Sequence, residues 1–248
     1  MARLVDLPRD VSRLKLSHGF FEDFNEGVVT ADRWTLVTSN DGAVSLDDTA
    51  TEAGGAAKII SAVNDSGTNG DESGILHSTS KAFLFADDKP LVFGARIKFT
   101  EAATDDANVF IGVSNVIAAG LMRDGGAGPA LTNDAVGFYK VDGGTNWNTH
   151  VSFASLPSNT QLSAANSLTG VAQGSGGGTD QLLELECLPV TSTEMDINYK
   201  IDGAHVFTES SVTMTDPASM SVVLLIMDGS ASSIETLYCD YVYCYQTR

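Results

Sequence analysis

In "INYKIDGAHVF", residues 197–207, Ile197, Tyr199 and Ile201 alternate with Asn198, Lys200 and Asp202. A period of two turns one set of side chains to a core and the other to water, the pattern of a half-buried strand. Asp202-Gly203 then supplies two residues that tolerate positive φ in a type I′ turn, and Ala204, Val206 and Phe207 carry the chain back. The stretch predicts a β-hairpin.

The same rhythm extends outward from it. "KPLVFGARIKFTEA" (89–102) sets Leu91, Phe93, Ala95, Ile97 and Phe99 against Val92, Gly94, Arg96, Lys98 and Thr100. "NVFIGVS" (108–114) follows, then "AVGFYKVDGGTNWNTHVSF" (135–153), which contains an Asp142-Gly143-Gly144 turn. "QLLELECL", "EMDINYKI", "AHVFTESS", "MSVVLLIMDG" and "ETLYCDYVYCYQ" supply further strands in the last third. Two stretches break the pattern, 118–134 and 154–180, and loops of this length in a compact domain are functional or mobile elements. About twelve antiparallel strands cannot lie in one open sheet without exposing both faces. The expectation is an all-β, antiparallel, two-sheet jelly-roll sandwich over residues 19–248, preceded by an extended N-terminal arm over residues 1–18.

Composition agrees with one such domain. The chain has 248 residues, 24 of them Gly, and is 43% hydrophobic, which suits a turn-rich β protein. Lys+Arg number 14 against 32 Asp+Glu, a formal charge of −18 that repels phosphate backbones and anionic membranes. Neither nucleic acid nor membrane is an expected partner. The longest apolar run, "SVVLLIM" at 221–227, fits a buried strand and is too short to cross a bilayer. "MARLVDLPRDVSRLKLSHGFF" carries charges throughout and has no apolar stretch of the secretory type, so the chain is expected to stay in the cytosol that makes it. Cys187, Cys239 and Cys244 form no metal pattern and read as reduced core residues, the last two on opposite faces if 237–246 is one regular strand.

The arm has four basic and two acidic side chains, with Arg3, Arg9, Arg13 and Lys15 among Leu4, Val5, Leu7, Leu14 and Leu16. It reads as a frayed terminus, a strand added to the sheet edge, or a tail that grips a partner.

The motif order "FFEDFN…DRW", "KPLVFGARIKF", "NVFIGVS", "VGFYK", "YKIDGAHV" and "LYCDYVYCYQ" resembles the concanavalin A-like lectin/glucanase sandwich in its laminin-G-like form. This version, with its basic arm, is similar to sandwich proteins encoded among the virion structural genes of tailed bacteriophages. The resemblance implies a capsid decoration or cement protein on the virion surface, assembled in the host cytoplasm. Its implied partners are the major capsid protein and itself, a homotrimer suiting three-fold capsid positions. The alternative it implies is a carbohydrate-binding module of a fibre or adhesion protein, with Trp147 in "GGTNWN" stacking on sugar between Asn146 and Asn148.

Glucanases of this superfamily use a strand motif Glu-x-Asp-x-(x)-Glu, in which one carboxylate attacks and another protonates. Here Glu194 and Asp196 are followed by Asn198, and the alternation makes all three the wet face of a strand. Glu184 and Glu186 on the preceding strand would repel Glu194 and Asp196 if register placed them opposite. "DSGTNGDESGIL" from Asp65 misses calcium-loop ligands at Gly67 and Leu76. His18, His77, His150 and His205 stand apart, without the spacing of a metal or a triad. On these grounds no metal and no cofactor are expected, and the chain is expected not to be an enzyme.

Overall fold

The structure, a computed structural model, describes residues 17–24, 29, 31–38, 43–47, 56–61, 73–86, 89–101, 107–123, 127–144, 146–152, 180–191, 193–213, 218–229 and 234–247. Its elements are almost all strands: β1 Ser17–Glu22, β2 Trp34–Thr38, β3 Ala43–Asp47, β4 Ala56–Ile60, β5 Ser73–Ser78, β6 Phe83–Phe85, β7 Leu91–Thr100 and β8 Asn108–Ser114. After a short 3-10 helix at Ala119–Leu121 come β9 Ala135–Lys140, β10 Asn148–Ser152, β11 Gln181–Pro189, β12 Glu194–Ile201, β13 Ala204–Thr213, β14 Ala218–Met227 and β15 Thr236–Thr247. No described helix is long and apolar enough to cross a membrane.

All pairings are antiparallel and form two sheets. The larger runs β13-β12-β11-β7-β15-β4-β3, with β1 also on β15; the smaller runs β10-β9-β8-β14-β5-β2, with β6 on β14. The far edge of β15 is shared by two partners: β4 lies along Thr236–Cys239 and β1 along Val242–Thr247. Inward residues of the two sheets, such as Phe93, Phe99, Ile111, Phe138, Tyr199 and Leu224, interdigitate as one buried core. This is the expected sandwich, because each sheet has one apolar face that must be removed from water.

The opening hairpin is as read: Asp202 and Gly203 sit at φ 52° and 78° between β12 and β13. Its turn is also tied sideways, since the Asp202 carboxylate accepts from the Leu182 backbone N–H at 2.9 Å. β9 and β10 form a hairpin too, with Gly143 at φ 71° in the connection between them.

Among the described residues one ion pair is fully buried in the core. Lys140 lies 2.7 Å from Glu101 with both side chains fully buried. Its ammonium also donates to the Ala107 carbonyl at 3.1 Å and lies 6.0 Å from the centre of the Phe99 ring.

A β-bulge interrupts β15. Across from β7, Cys239 pairs with Ile97 and Tyr241 with Arg96, so Asp240 is an extra residue. The bulge resets the in-out alternation, and Cys239 and Cys244 both point into the core, fully buried with free thiols. The expectation that they face opposite ways is corrected by this one inserted residue.

Described structure begins at Ser17 and His18, already in β1. Arg3, Leu4, Val5, Leu7, Arg9, Arg13, Leu14, Lys15 and Leu16 lie outside the described residues, as do 153–179 of the second long loop and 65–72 of the calcium-like stretch.

Candidate functional site

The two sheets treat their outer faces differently. On the smaller sheet that face is apolar and is covered by the chain itself. Ile75, Phe110, Tyr139, Val223, Leu225 and Met227 pack beneath Leu121 and Met122, which arrive on the segment between β8 and β9. Asn115 and Asp134 close the segment's base, through the Asn115 N–H to the Asp134 carbonyl at 2.9 Å and the side-chain amide to the carboxylate at 2.6 Å. His150 is sealed in the same layer, with Nε2 2.8 Å from the Ser152 hydroxyl and edge-on rings at Phe110 and Tyr139. Burial, with Arg123 nearby, pushes its pKa down to about 3, so the imidazole is neutral near neutral pH.

Among the described residues no segment covers the outer face of the larger sheet, and the bulge decides what stands on it. Without Asp240 as an insertion, Tyr238 would face opposite to Tyr241, Tyr243 and Tyr245. With it, all four tyrosines share the outer face, while Leu237, Cys239, Val242 and Cys244 line the core. Exposed Phe21 of β1 stacks on Tyr241, with ring centres 5.6 Å apart at 26°. The result is an aromatic ladder along one strand.

Two glycines seat the ladder. Gly94 faces Tyr243 across the β7–β15 ladder, and a side chain there would collide with the tyrosine ring. The ring therefore crosses β7, and its hydroxyl donates to Glu184 of β11 at 2.6 Å. Gly19 of β1 leaves the same kind of space for Tyr245. Burial, joined at Tyr243 by the Glu184 hydrogen bond, pushes the phenols of Tyr243 and Tyr245 upward and keeps them neutral donors.

Charged groups flank the rings. Arg96 donates to Asp180 at 3.1 Å and lies 3.6 Å from Asp240, beside Tyr241. Lys200 holds Glu186 at 2.5 Å. Register places Glu184 opposite Lys200 and Glu186 opposite Asn198, so the two strands put cation and amide against the carboxylates, and the repulsion considered for Glu194 and Asp196 does not arise. Asp196 instead accepts from the Ser211 N–H at 2.9 Å, and Asn198 from the Thr208 hydroxyl at 2.7 Å, as surface anchors of β13. Such a face can lay apolar rings against the C–H side of a sugar while fixed donors and acceptors meet its hydroxyls.

Trp147 is not part of this site. It is fully buried, with its indole N–H donated to Gln181 at 2.9 Å and its ring against Phe99 and Phe138, so it cannot stack on a ligand. A tryptophan beside a Gly-rich turn reads as exposed in the sequence, but the turn carries it back into the core. Asn146 and Asn148 are half-buried, and the Asn148 amide is spent on the Tyr139 and Asn146 carbonyls. Trp34 is buried as well, with its N–H directed at Glu22. The four histidines are dispersed: His18 bonds the Ala82 carbonyl, His77 the Ser78 carbonyl and His205 the Thr208 hydroxyl. Among the described residues no group of three or more His, Cys, Asp or Glu could hold a metal ion.

No protein-family model matches the chain, and no curated protein matches it significantly. Solved structures do match in shape. The carbohydrate recognition domain of Emp47p superposes with a TM-score of 0.61 at 12% identity, covering 96% of this chain and 99% of that one. An endo-1,3-beta-glucanase from Streptomyces sioyaensis gives 0.61 at 15% over 94% and 97%, and an endo-beta-1,4-glucuronan lyase from the fungus Trichoderma reesei 0.61 at 13% over 90% and 94%. The fold is the concanavalin A-like jelly roll. A carbohydrate esterase of the Shiga toxin-encoding bacteriophage phi24B shares it at a TM-score of 0.52, with 15% identity over 93% of this chain and 97% of that one.

These likenesses correct one expectation. A lyase, a glucanase and an esterase all stand on this sandwich, so an incomplete Glu-x-Asp-x-(x)-Glu strand is no ground for excluding catalysis.

Proposed function

We propose that this protein binds carbohydrate along the outer face of its larger sheet, on the tyrosine ladder of β15. The observation that carries the reading is the row of half-exposed Tyr238, Tyr241 and Tyr245 on one face, with Tyr243 buried among them as a support and exposed Phe21 stacked on Tyr241. An apolar core alone would be served by any inward residues; it does not call for a row of outward aromatic rings bordered by Glu184, Arg96 and Lys200. The fold's neighbours, a carbohydrate recognition domain and three carbohydrate-active enzymes, support the same ligand class.

The test is calorimetric titration of the full chain with a panel of oligosaccharides, with released reducing ends scored in the same samples. Wild type binds at least one class and Tyr241→Ala/Tyr245→Ala does not; unaltered affinity in that double variant removes the ladder from consideration.

A virion setting is the second reading, favoured by the basic arm and by the phage protein among the fold's neighbours. In it, residues 1–18 anchor a decoration protein to the major capsid protein. Deleting residues 2–18 then abolishes saturable binding to empty capsids, and equal occupancy by the truncated chain argues against it.

A further inference from the structure

We infer that the basic, leucine-bearing arm, residues 1–16, docks back onto its own larger sheet, on an apolar strip at the end of the outer face where β1 begins. The strip is made by Leu188 and Val190, 41% and 51% exposed, with half-exposed Pro90 and Val92 on the neighbouring strand. Leu188 is on the outer face, two residues beyond Glu186 in the regular alternation of β11, and is in register with Asp196 of β12. Val92 stands in register between Tyr245 and Glu186, so the strip adjoins the last ring of the ladder. Among the described residues five large apolar side chains are exposed, and two of them stand together here. Singly such residues need no explanation, but grouped with Pro90 and Val92 they form a surface that gains by being covered.

Position, reach and charge select the arm as the occupant. β1 starts at Ser17 opposite Thr247, and the order β1-β15-β7-β11 leaves three strand spacings, about 15 Å, between that point and β11. A chain of sixteen residues spans up to about 50 Å, so the arm reaches the strip with length to spare. It brings Leu4, Leu7, Leu14 and Leu16 to the apolar surface, and it is a basic segment of a chain whose formal charge is −18. The carboxylates that meet its arginines and Lys15 are Glu194 and Asp196 of β12, at the border of the strip. Their hydrogen bonds come from the Thr191 hydroxyl at 3.4 Å and the Ser211 N–H at 2.9 Å, neither of which neutralises them, and Lys200 of the same strand is held by Glu186. Because the arm is tethered through β1, its encounter with the strip is intramolecular, which favours it over the arm of a second copy.

The experiment is site-directed cross-linking of the full chain. Cys187, Cys239 and Cys244 are fully buried, so cysteines placed on the surface of the folded protein react selectively. Leu14→Cys/Leu188→Cys is compared with Leu14→Cys/Leu36→Cys, Leu36 being an exposed residue of β2 in the other sheet, each treated with a short bis-maleimide at low protein concentration. The first pair is expected to give several-fold more cross-linked monomer than the second. Adding Glu194→Lys/Asp196→Lys, or raising the salt, shrinks that advantage. Equal yields for the two pairs, a yield untouched by the charge reversal, or cross-links formed only between copies each overturn the inference, the last by assigning the strip to a second copy's arm. Glycan binding does not enter the readout, so the carbohydrate reading stands or falls separately.

Discussion

The outer faces of the two sheets have opposite fates. The smaller sheet presents Phe110, Val223, Leu225 and Met227 outward, and the chain packs Ile117, Leu121 and Met122 over them as a second apolar layer. The larger sheet presents tyrosines, lysines and carboxylates, which water can solvate, and no segment among the described residues covers them. The difference teaches that a sheet face is covered when its side chains have no favourable alternative to burial, and stays available to a ligand when rings carry hydroxyls and are bordered by charge.

Acid should break the sealed face first and most. Folded His150 resists protonation down to about pH 3, whereas an unfolded histidine protonates near 6.5. The stability contributed by the neutral buried ring is therefore complete above pH 6.5 and is lost as pH falls toward 3, about tenfold in the folding equilibrium per pH unit. Urea midpoints measured across that window should fall steeply for wild type and less so for His150→Gln.

Next in size is the seal itself. Leu121→Ala removes a fully buried side chain from the covering segment and should cost about 2–5 kcal/mol in denaturant unfolding, with glycan affinity of the folded protein unchanged. A smaller effect is expected beneath the ladder. Gly94→Ala forces the Tyr243 ring off β7 and away from Glu184, costing about 1–3 kcal/mol; an unshifted denaturation midpoint would show that the ring has room to move. Least of all, Tyr245→Ala on the half-exposed ladder should change stability by less than about 1 kcal/mol while glycan affinity drops. A large stability loss with intact binding would reverse the contrast between the faces.

Much of the fold was legible because strands announce themselves at short range. The alternation in 91–99 and 197–201, and the Asp202-Gly203 turn, reappear as β7, β12 and a positive-φ hairpin. The candidate site was not legible. "LYCDYVYCYQ" reads as a closing strand, yet uninterrupted alternation separates Tyr238 from its three successors and assigns the cysteines to opposite faces. A bulge is set by pairing with a neighbouring strand, here β7, and leaves no mark in residue spacing alone. Trp147 failed for a related reason: the polarity of "GGTNWN" describes its neighbours, whereas its burial depends on Phe99, Phe138 and Gln181, contributed by other strands.

By itself, then, the sequence determined that the chain is a β-sandwich of antiparallel strands with an acidic, turn-rich surface, since period-two patterning and turn chemistry act within a few residues. Only the tertiary structure decided which aromatic rings are buried and which stand in a row, which outer face is sealed, and that Lys58 and Lys98 flank Tyr238. Those outcomes depend on register between strands distant in the chain, where one inserted residue turns every later side chain to the other face.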